Sequence, residues 1–398
     1  MLIPSIIALI VMYGTAVIAS YVPALQIDLV QYFGGEDATT VFGLGAVSMS
    51  YLIWIIILMA YVYIASTLPV WKLLQPRDYI NAHQLIVGLV VLYLGLLLTN
   101  PEVTAPATRS VDDVSWFPLL FITIACGAVS GFHALVSSGT TSKQLNKETD
   151  ARQVGYLGAV GEGVLALIAI IAVVTFFSTT DDFLAAYSSF DVANAEGLGN
   201  FIEGAAALAS GLLIPEAAAQ TLTSIIVISF AATTLDTSVR LMRYIISEIG
   251  REYKAFALTK KHVATSIAVG ASLMLVLLPQ DERGLGAGGY ILWPLFGTSN
   301  QLLAGITLLL ITIWVQRQGR NFLVPLIPMV FLLVMTMWAM LSQLRNEWWI
   351  FGETGGDVLL FVLGSIIFVF AVWICLEAYL LFKNERQQRL NNDKRDAG

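Results

Sequence analysis

The chain has 398 residues, of which 57% are apolar and only 12% charged, about half the roughly 25% charge of a soluble protein. Mean hydropathy is +0.77, and a net charge of −7 leaves no basic footprint for nucleic acid. These values exclude an ordinary soluble enzyme, a DNA- or RNA-binding protein and a disordered chain, and they set the class as an all-α polytopic membrane protein.

A helix needs about 20 apolar residues to cross a bilayer. Ten segments meet this in chain order: 2–22, 46–68, 80–99, 116–138, 153–178, 215–238, 262–280, 289–315, 322–343 and 358–382. Met1 opens directly into the first of them with no basic flank, unlike a secretory signal; a short N-terminus and a chain without earlier spans both fit. The basic residues test the count, because cytoplasmic loops collect Lys and Arg. With every second loop inside, 18 of the 21 Lys and Arg residues fall on the cytoplasmic side and only Arg109, Arg283 and Arg345 outside. Both termini are then cytoplasmic.

No change of composition marks a second soluble domain. Residues 1–382 read as a single transmembrane helical domain and 383–398 as a polar cytoplasmic tail. Within the domain, 179–214 is acidic and then glycine-rich, which fits an outer re-entrant or surface-lying amphipathic segment. Residues 239–261 form a basic cytoplasmic loop of helical character. Cys126 and Cys375 both lie in apolar runs, so no disulfide framework is indicated. The chain has no CxxC, HExxH or GxxxxGK[ST] motif, which disfavours a zincin or a P-loop ATPase. No catalytic residue, metal or cofactor is expected.

Polar groups inside a bilayer are costly and are functional candidates by default. Four places hold them. In the fourth span, Gly127 and Gly131 have the GxxxG spacing that lets helices approach closely. His133 and Ser137 share a helix face, and Ser138, Gly139, Thr140 and Thr141 follow. His133 suits proton coupling or a packing hydrogen bond. In the fifth span Glu162 lies about 14 Å deep at 1.5 Å per residue. It serves a proton carrier, or it pairs with a hydroxyl or with His133. At the end of the sixth span, Thr233, Thr234, Asp236, Thr237 and Ser238 cluster, and Asp236 precedes Arg240 by four, an ion-pair spacing; a gate and a capping salt bridge both fit. In the eighth span Pro294 and Gly297 are expected to break the helix in mid-membrane. Thr298, Ser299, Asn300 and Gln301 follow, as in the broken helices where transporters bind small solutes; a kinked helix with tied amides is the alternative. His83, His262 and Glu377 read as interfacial, and most tryptophans as an aromatic belt.

Four stretches carry a family resemblance: 61–83 (YVYIASTLPVWKLLQPRDYINAH), 118–145 (PLLFITIACGAVSGFHALVSSGTTSKQL), 230–245 (FAATTLDTSVRLMRYI) and 293–306 (WPLFGTSNQLLAGI). In these the chain resembles the carbon starvation protein A family, and the likeness covers most of its length. The resemblance implies a cytoplasmic-membrane transporter, with discontinuous helices like those of the amino acid–polyamine–cation transporters. It implies import of peptides or pyruvate, driven by an ion gradient, in starved cells. Family members are longer, with first spans that have no counterpart here, which leaves room for a second chain supplying them. Ser142 stands where the family usually has proline.

The combined expectation is a secondary transporter rather than an enzyme. His133 and Glu162 handle the proton. Ser137 to Thr141 and Gly297 to Gln301 bind a small peptide or carboxylate. Thr233, Thr234, Asp236 and Arg240 form a gate. The alternative is a non-autonomous membrane subunit; a membrane-embedded enzyme is weaker, since no nucleophile–base pair is readable.

Overall fold

A computed structural model describes residues 2–22, 27–35, 38, 44–109, 116–122, 124, 129–279, 284–347, 349–350 and 357–396. Met1, Cys126, Gly127, Arg283 and Trp348 lie outside these. In chain order the principal helices are α1 (Leu2–Tyr21), α2 (Ala46–Thr67), α3 (Leu74–Thr99), α4 (Gly131–Gly139), α5 (Asp150–Val174), α6 (Thr180–Ala186), α7 (Phe190–Ser210), α8 (Glu216–Glu252), α9 (Lys261–Leu277), α10 (Trp293–Arg317), α11 (Leu323–Ser342) and α12 (Val358–Asp396). Among the described residues seven are long and apolar enough to cross a membrane, namely α2, α3, α5, α8, α10, α11 and the Val358–Glu377 part of α12. Most of α1, from Ile6, and α9 are shorter apolar helices. The chain is an all-α, multi-pass membrane protein, and helix occupies each of the ten segments expected from the sequence.

Local chemistry sets the helix ends. Ser130, Thr179 and Ser189 are extended residues whose hydroxyls accept a first-turn N–H of α4, α6 and α7, the usual N-cap arrangement. Asn100 closes α3 in the left-handed conformation, and Gly319 turns the chain after α10 with φ 68°, where a side chain is strained.

The break expected at Pro294 and Gly297 lies just before them. In the eighth span a short helix, Gly288–Ile291, is followed by a turn at Leu292, and α10 then runs unbroken from Trp293 to Arg317 with Pro294 in its first turn, where the missing N–H costs nothing. Gly297 is an ordinary helical residue. The fourth span is interrupted too. A wide helical turn at Trp116–Leu120 contains the non-helical Phe117, and Ser130 is extended (φ −108°, ψ 128°) before α4 begins.

The chain divides into two compact units, residues 1–111 with 160–291, and residues 112–159 with 292–398. In the first unit, small residues bring backbones together. Gly95 on α3 has no room for a Cβ against the Leu208 carbonyl of α7, and Gly204 on α7 has none against the Ala172 carbonyl of α5. Leu92, Ile168, Ala172, Ala205 and Leu208 fill the same junction. The segment 179–214 is thus two helices, and α7 buries its alanine face against α3, α5 and α8. A second cluster joins α2, α8 and α9 through Val62, Val239 and Ala268. The basic segment 239–261 continues α8 as far as Glu252. In the second unit α10 and α11 pack along their length, with Gly305 tight against Leu333 and with Leu309, Ile313 and Met329 between them. Here α12 carries the polar C-terminal segment as one continuous helix to Asp396.

Candidate functional site

Each unit presents one polar constellation. In the second unit it forms where α4 meets α10. The Asn300 carboxamide oxygen accepts the Phe132 backbone N–H at 2.8 Å and the Ser130 hydroxyl at 3.2 Å. Gly131 meets the Asn300 carbonyl so closely that a Cβ has no place. A side chain of one helix therefore fills the donor-rich start of another, where unpaired N–H groups and the helix dipole favour an acceptor. The close approach expected of Gly131 is made, and its partner is α10. Beside it Gln301 is fully buried, and neither its amide nitrogen nor its oxygen has a hydrogen-bond partner. Thr336 on α11 is equally buried, and its hydroxyl is also without one. Buried polar groups normally find partners, so this spot is polar beyond what packing needs.

The expected solute residues share this unit but not one point. Asn300 and Gln301 lie at the start of α4, whereas Ser137 to Thr141 lie at its other end. The nine residues of α4 make a rod of about 13 Å. The hydroxyls there bond backward within α4: Ser138 to the Leu135 carbonyl at 3.1 Å and Thr140 to that of Val136 at 2.8 Å. Thr298 bonds the Pro294 and Leu295 carbonyls, and Ser299 that of Phe296. Gly297 has open space around its Cα. The His133 side chain is exposed and stands edge-on to Phe132 at 6.2 Å. Glu162 belongs to the other unit. It is half-buried on α5, near the Val164 carbonyl that accepts the Tyr93 hydroxyl at 2.8 Å.

In the first unit the constellation is a ladder between α3 and α8. Arg77 donates to Asp236 at 2.5 and 3.2 Å. Asn81 donates to the Thr233 hydroxyl at 2.5 Å. Ser229 donates to the Gln84 carboxamide oxygen at 2.9 Å, and Gln84 Nε2 reaches Met12 Sδ on α1 at 2.9 Å. Residues 77, 81 and 84 share one face of α3, and 236, 233 and 229 share the facing one of α8, so the rungs repeat at helical spacing over about 10 Å. Asn81, Gln84 and Asp236 are all buried. Beyond the Gln84 rung lies an almost wholly apolar cavity of about 100 Å³, lined among others by Tyr13, Gln84, Leu92, Phe201 and Ile226.

Asp236 and Arg240 do not pair. The Arg240 guanidinium donates instead to the carbonyls of Ala65 and Leu68, both at 2.8 Å. It closes the C-terminal end of α2, where a cation is favourable. Helical spacing makes Asp236 and Arg240 neighbours on the surface of α8, but orphan carbonyls and a second arginine compete for them. Thr234 bonds the Phe230 carbonyl at 3.0 Å and is exposed. Sequence reasoning passed over Arg77, Asn81, Gln84 and Ser229; the signal was the i, i+4, i+7 recurrence of polar residues in two apolar helices. No group of three His, Cys, Asp or Glu side chains able to hold a metal occurs among the described residues.

The family described as carbon starvation protein CstA matches residues 1–187 and 183–339. A protein named peptide transporter CstA from Campylobacter jejuni is 33% identical over 345 residues, covering 73% of this chain and 48% of that protein. The pyruvate/proton symporter BtsT of Escherichia coli is 31% identical over 382 residues, covering 78% and 53%. A peptide transporter CstA of Bacillus subtilis is 32% identical over 363 residues, covering 80% and 59%. The chain spans about half the length of the curated relatives it matches. No solved structure matches it.

Proposed function

The chain belongs to the carbon starvation protein CstA family, and on that premise we propose that it serves ion-gradient-driven secondary transport. The solute is a small peptide or a pyruvate-like carboxylate, imported across the cytoplasmic membrane during carbon or nutrient starvation. A proton is the coupling cation, both termini are cytoplasmic, and the architecture is of the amino acid–polyamine–cation transporter kind. Relatives named for peptide transport and for pyruvate/proton symport support this reading. The observation that carries it is the interrupted fourth span, whose second half, α4, is held by Asn300 beside the buried, unpartnered Gln301. Irregular backbone at membrane depth is tolerated only where protein or a watery cavity surrounds it, and it is a common construction for solute sites in transporters.

In this reading Gly297 to Gln301 and Ser137 to Thr141 flank the solute. His133 and Glu162 relay the proton. The α8 segment with Thr233, Thr234, Asp236 and Arg240 gates the path, with Arg77 as the partner that locks Asp236.

The test is uptake by the purified chain in proteoliposomes under an inward proton gradient. Labelled pyruvate, dipeptide and tripeptide are each run with an ionophore control. Gradient-dependent accumulation of one of them is expected, and Glu162→Gln abolishes it; driven uptake unchanged in that variant removes Glu162 from the relay. No uptake of any solute by folded protein favours the second reading, a subunit acting with another polypeptide.

A further inference from the structure

Two arginines along α8 do different work. Arg240 closes α2 and sits where the helix dipole welcomes a cation. Arg77 lies in the first turn of α3, where the dipole disfavours one, and it closes no helix. Its guanidinium meets Asp236 through both terminal nitrogens and the Tyr61 hydroxyl at 2.7 Å. A second carboxylate, Asp78, stands 3.5 Å from Nη2. The arginine thus already holds one carboxylate and has another at ion-pair distance. Exposure is graded across the three: Asp78 44%, Arg77 15% and Asp236 0% for the side chains. An anion arriving at this cluster reaches the guanidinium before it reaches Asp236.

We propose that Arg77 and Asp236 form an exchange site at which a solute carboxylate and a proton bind together. The proposal deepens the transport reading above and rests on it for its physiological role. The solute carboxylate takes the exposed side of the Arg77 guanidinium and displaces Asp236. Asp236 then lies at zero exposure with only the Thr237 hydroxyl at 3.3 Å for a partner. Arg240, one turn along, is committed to two carbonyls. Tyr61 on α2 keeps its hydroxyl bond to Arg77, and His262 on α9 bonds the Tyr63 hydroxyl at 3.1 Å. An isolated buried carboxylate neutralises rather than stay charged, so one Asp236 oxygen takes the proton that travels with the solute. No heavy-atom bond is made or broken. One negative charge and one proton enter together, and the charge of the cluster is unchanged. A monocarboxylate therefore enters with one proton and no net charge, and the gate lock is opened by the solute it admits.

The test uses the purified full chain and pyruvate as the probe, with its uncharged amide as control. Titration calorimetry in two buffers of different ionisation enthalpy counts protons taken up on binding. The wild type is expected to bind pyruvate with uptake of about one proton, and its amide roughly tenfold or more weakly. Asp236→Asn should remove the proton uptake. Because that variant leaves the Arg77 charge without its buried carboxylate, the neutral pair Arg77→Gln with Asp236→Asn is made as well, and any pyruvate it binds should carry no proton. In proteoliposomes, pyruvate entry driven by a pH gradient should not change when the membrane potential is clamped at different values. Wild-type protein that binds no pyruvate, binds it without proton uptake, or keeps the proton in the neutral pair overturns the proposal. Electrogenic pyruvate entry overturns it too. Proton-linked binding without any entry into liposomes overturns the transport reading instead and leaves the exchange site standing.

Discussion

Replacing Asn300 by leucine isolates what holds the broken span together. Leucine keeps nearly the same size but removes the oxygen that accepts the Phe132 N–H at 2.8 Å and the Ser130 hydroxyl at 3.2 Å. The serine hydroxyl can rotate to another acceptor; the backbone N–H cannot. Asn300 is 5% exposed, so water does not take over its role. The cost is that of one buried donor left unmade, about 1–3 kcal/mol. At about 1.4 kcal/mol per factor of ten, the start of α4 opens roughly 5 to 150 times more often. Amide hydrogen exchange reads such local openings directly. Peptides covering Ser130–His133 should exchange faster by about that factor in detergent or nanodiscs, while peptides within α11 stay unchanged. Ser299→Ala is the control, because that hydroxyl bonds the Phe296 carbonyl of its own helix at 3.2 Å, and such changes stay within about 0.5 kcal/mol. Wild-type exchange rates in Asn300→Leu would show that Asn300 does not hold the break.

Two further predictions concern packing and helix closure. Gly95→Ala drives a methyl against the Leu208 carbonyl, whereas Gly88→Ala meets only the mobile end of Ile226 at 3.2 Å. The first should cost about 1–3 kcal/mol and the second little; equal melting temperatures for the two variants would contradict the close α3–α7 approach. Arg240→Met removes two charged hydrogen bonds, each of about 1.5–3 kcal/mol. It should lower the melting temperature more than Arg243→Met, since the contact of Arg243 with the exposed Tyr244 ring at 4.8 Å is worth only about 0.5–1 kcal/mol; the reverse order would refute the closure of α2 by Arg240.

Hydropathy made the spans legible, because a bilayer demands long apolar runs whatever the tertiary contacts. Polar positions were legible as candidates but not as partners. Asp236 and Arg240 are adjacent on α8, yet Arg77 lies 159 residues from Asp236 in sequence, a pairing no local spacing announces. The proline at 294 carried a double meaning: proline breaks a helix inside and opens one at its start, and only the position of Trp293 as the first helical residue decides between them. The interruption at Ser130 was written as an N-cap serine ahead of Gly131, a pattern masked by the apolar residues around it. The relation of His133 to Glu162 was drawn from chemistry alone, and the two fall in different compact units.

The length of α8 has a mechanical consequence. Its 37 residues make a rod of about 55 Å, against a hydrocarbon core of about 30 Å. Between Glu216 and Ile249 it contains neither proline nor glycine, the residues at which helices most often kink. Ala218 and Ala219 near one end are buried, and so are Asp236, Val239 and Arg240 further along. Such a rod has no joint between the Gln84 rung and the Arg77 rung, so any backbone shift at Asp236 would be carried along the helix to the alanine seat near its start.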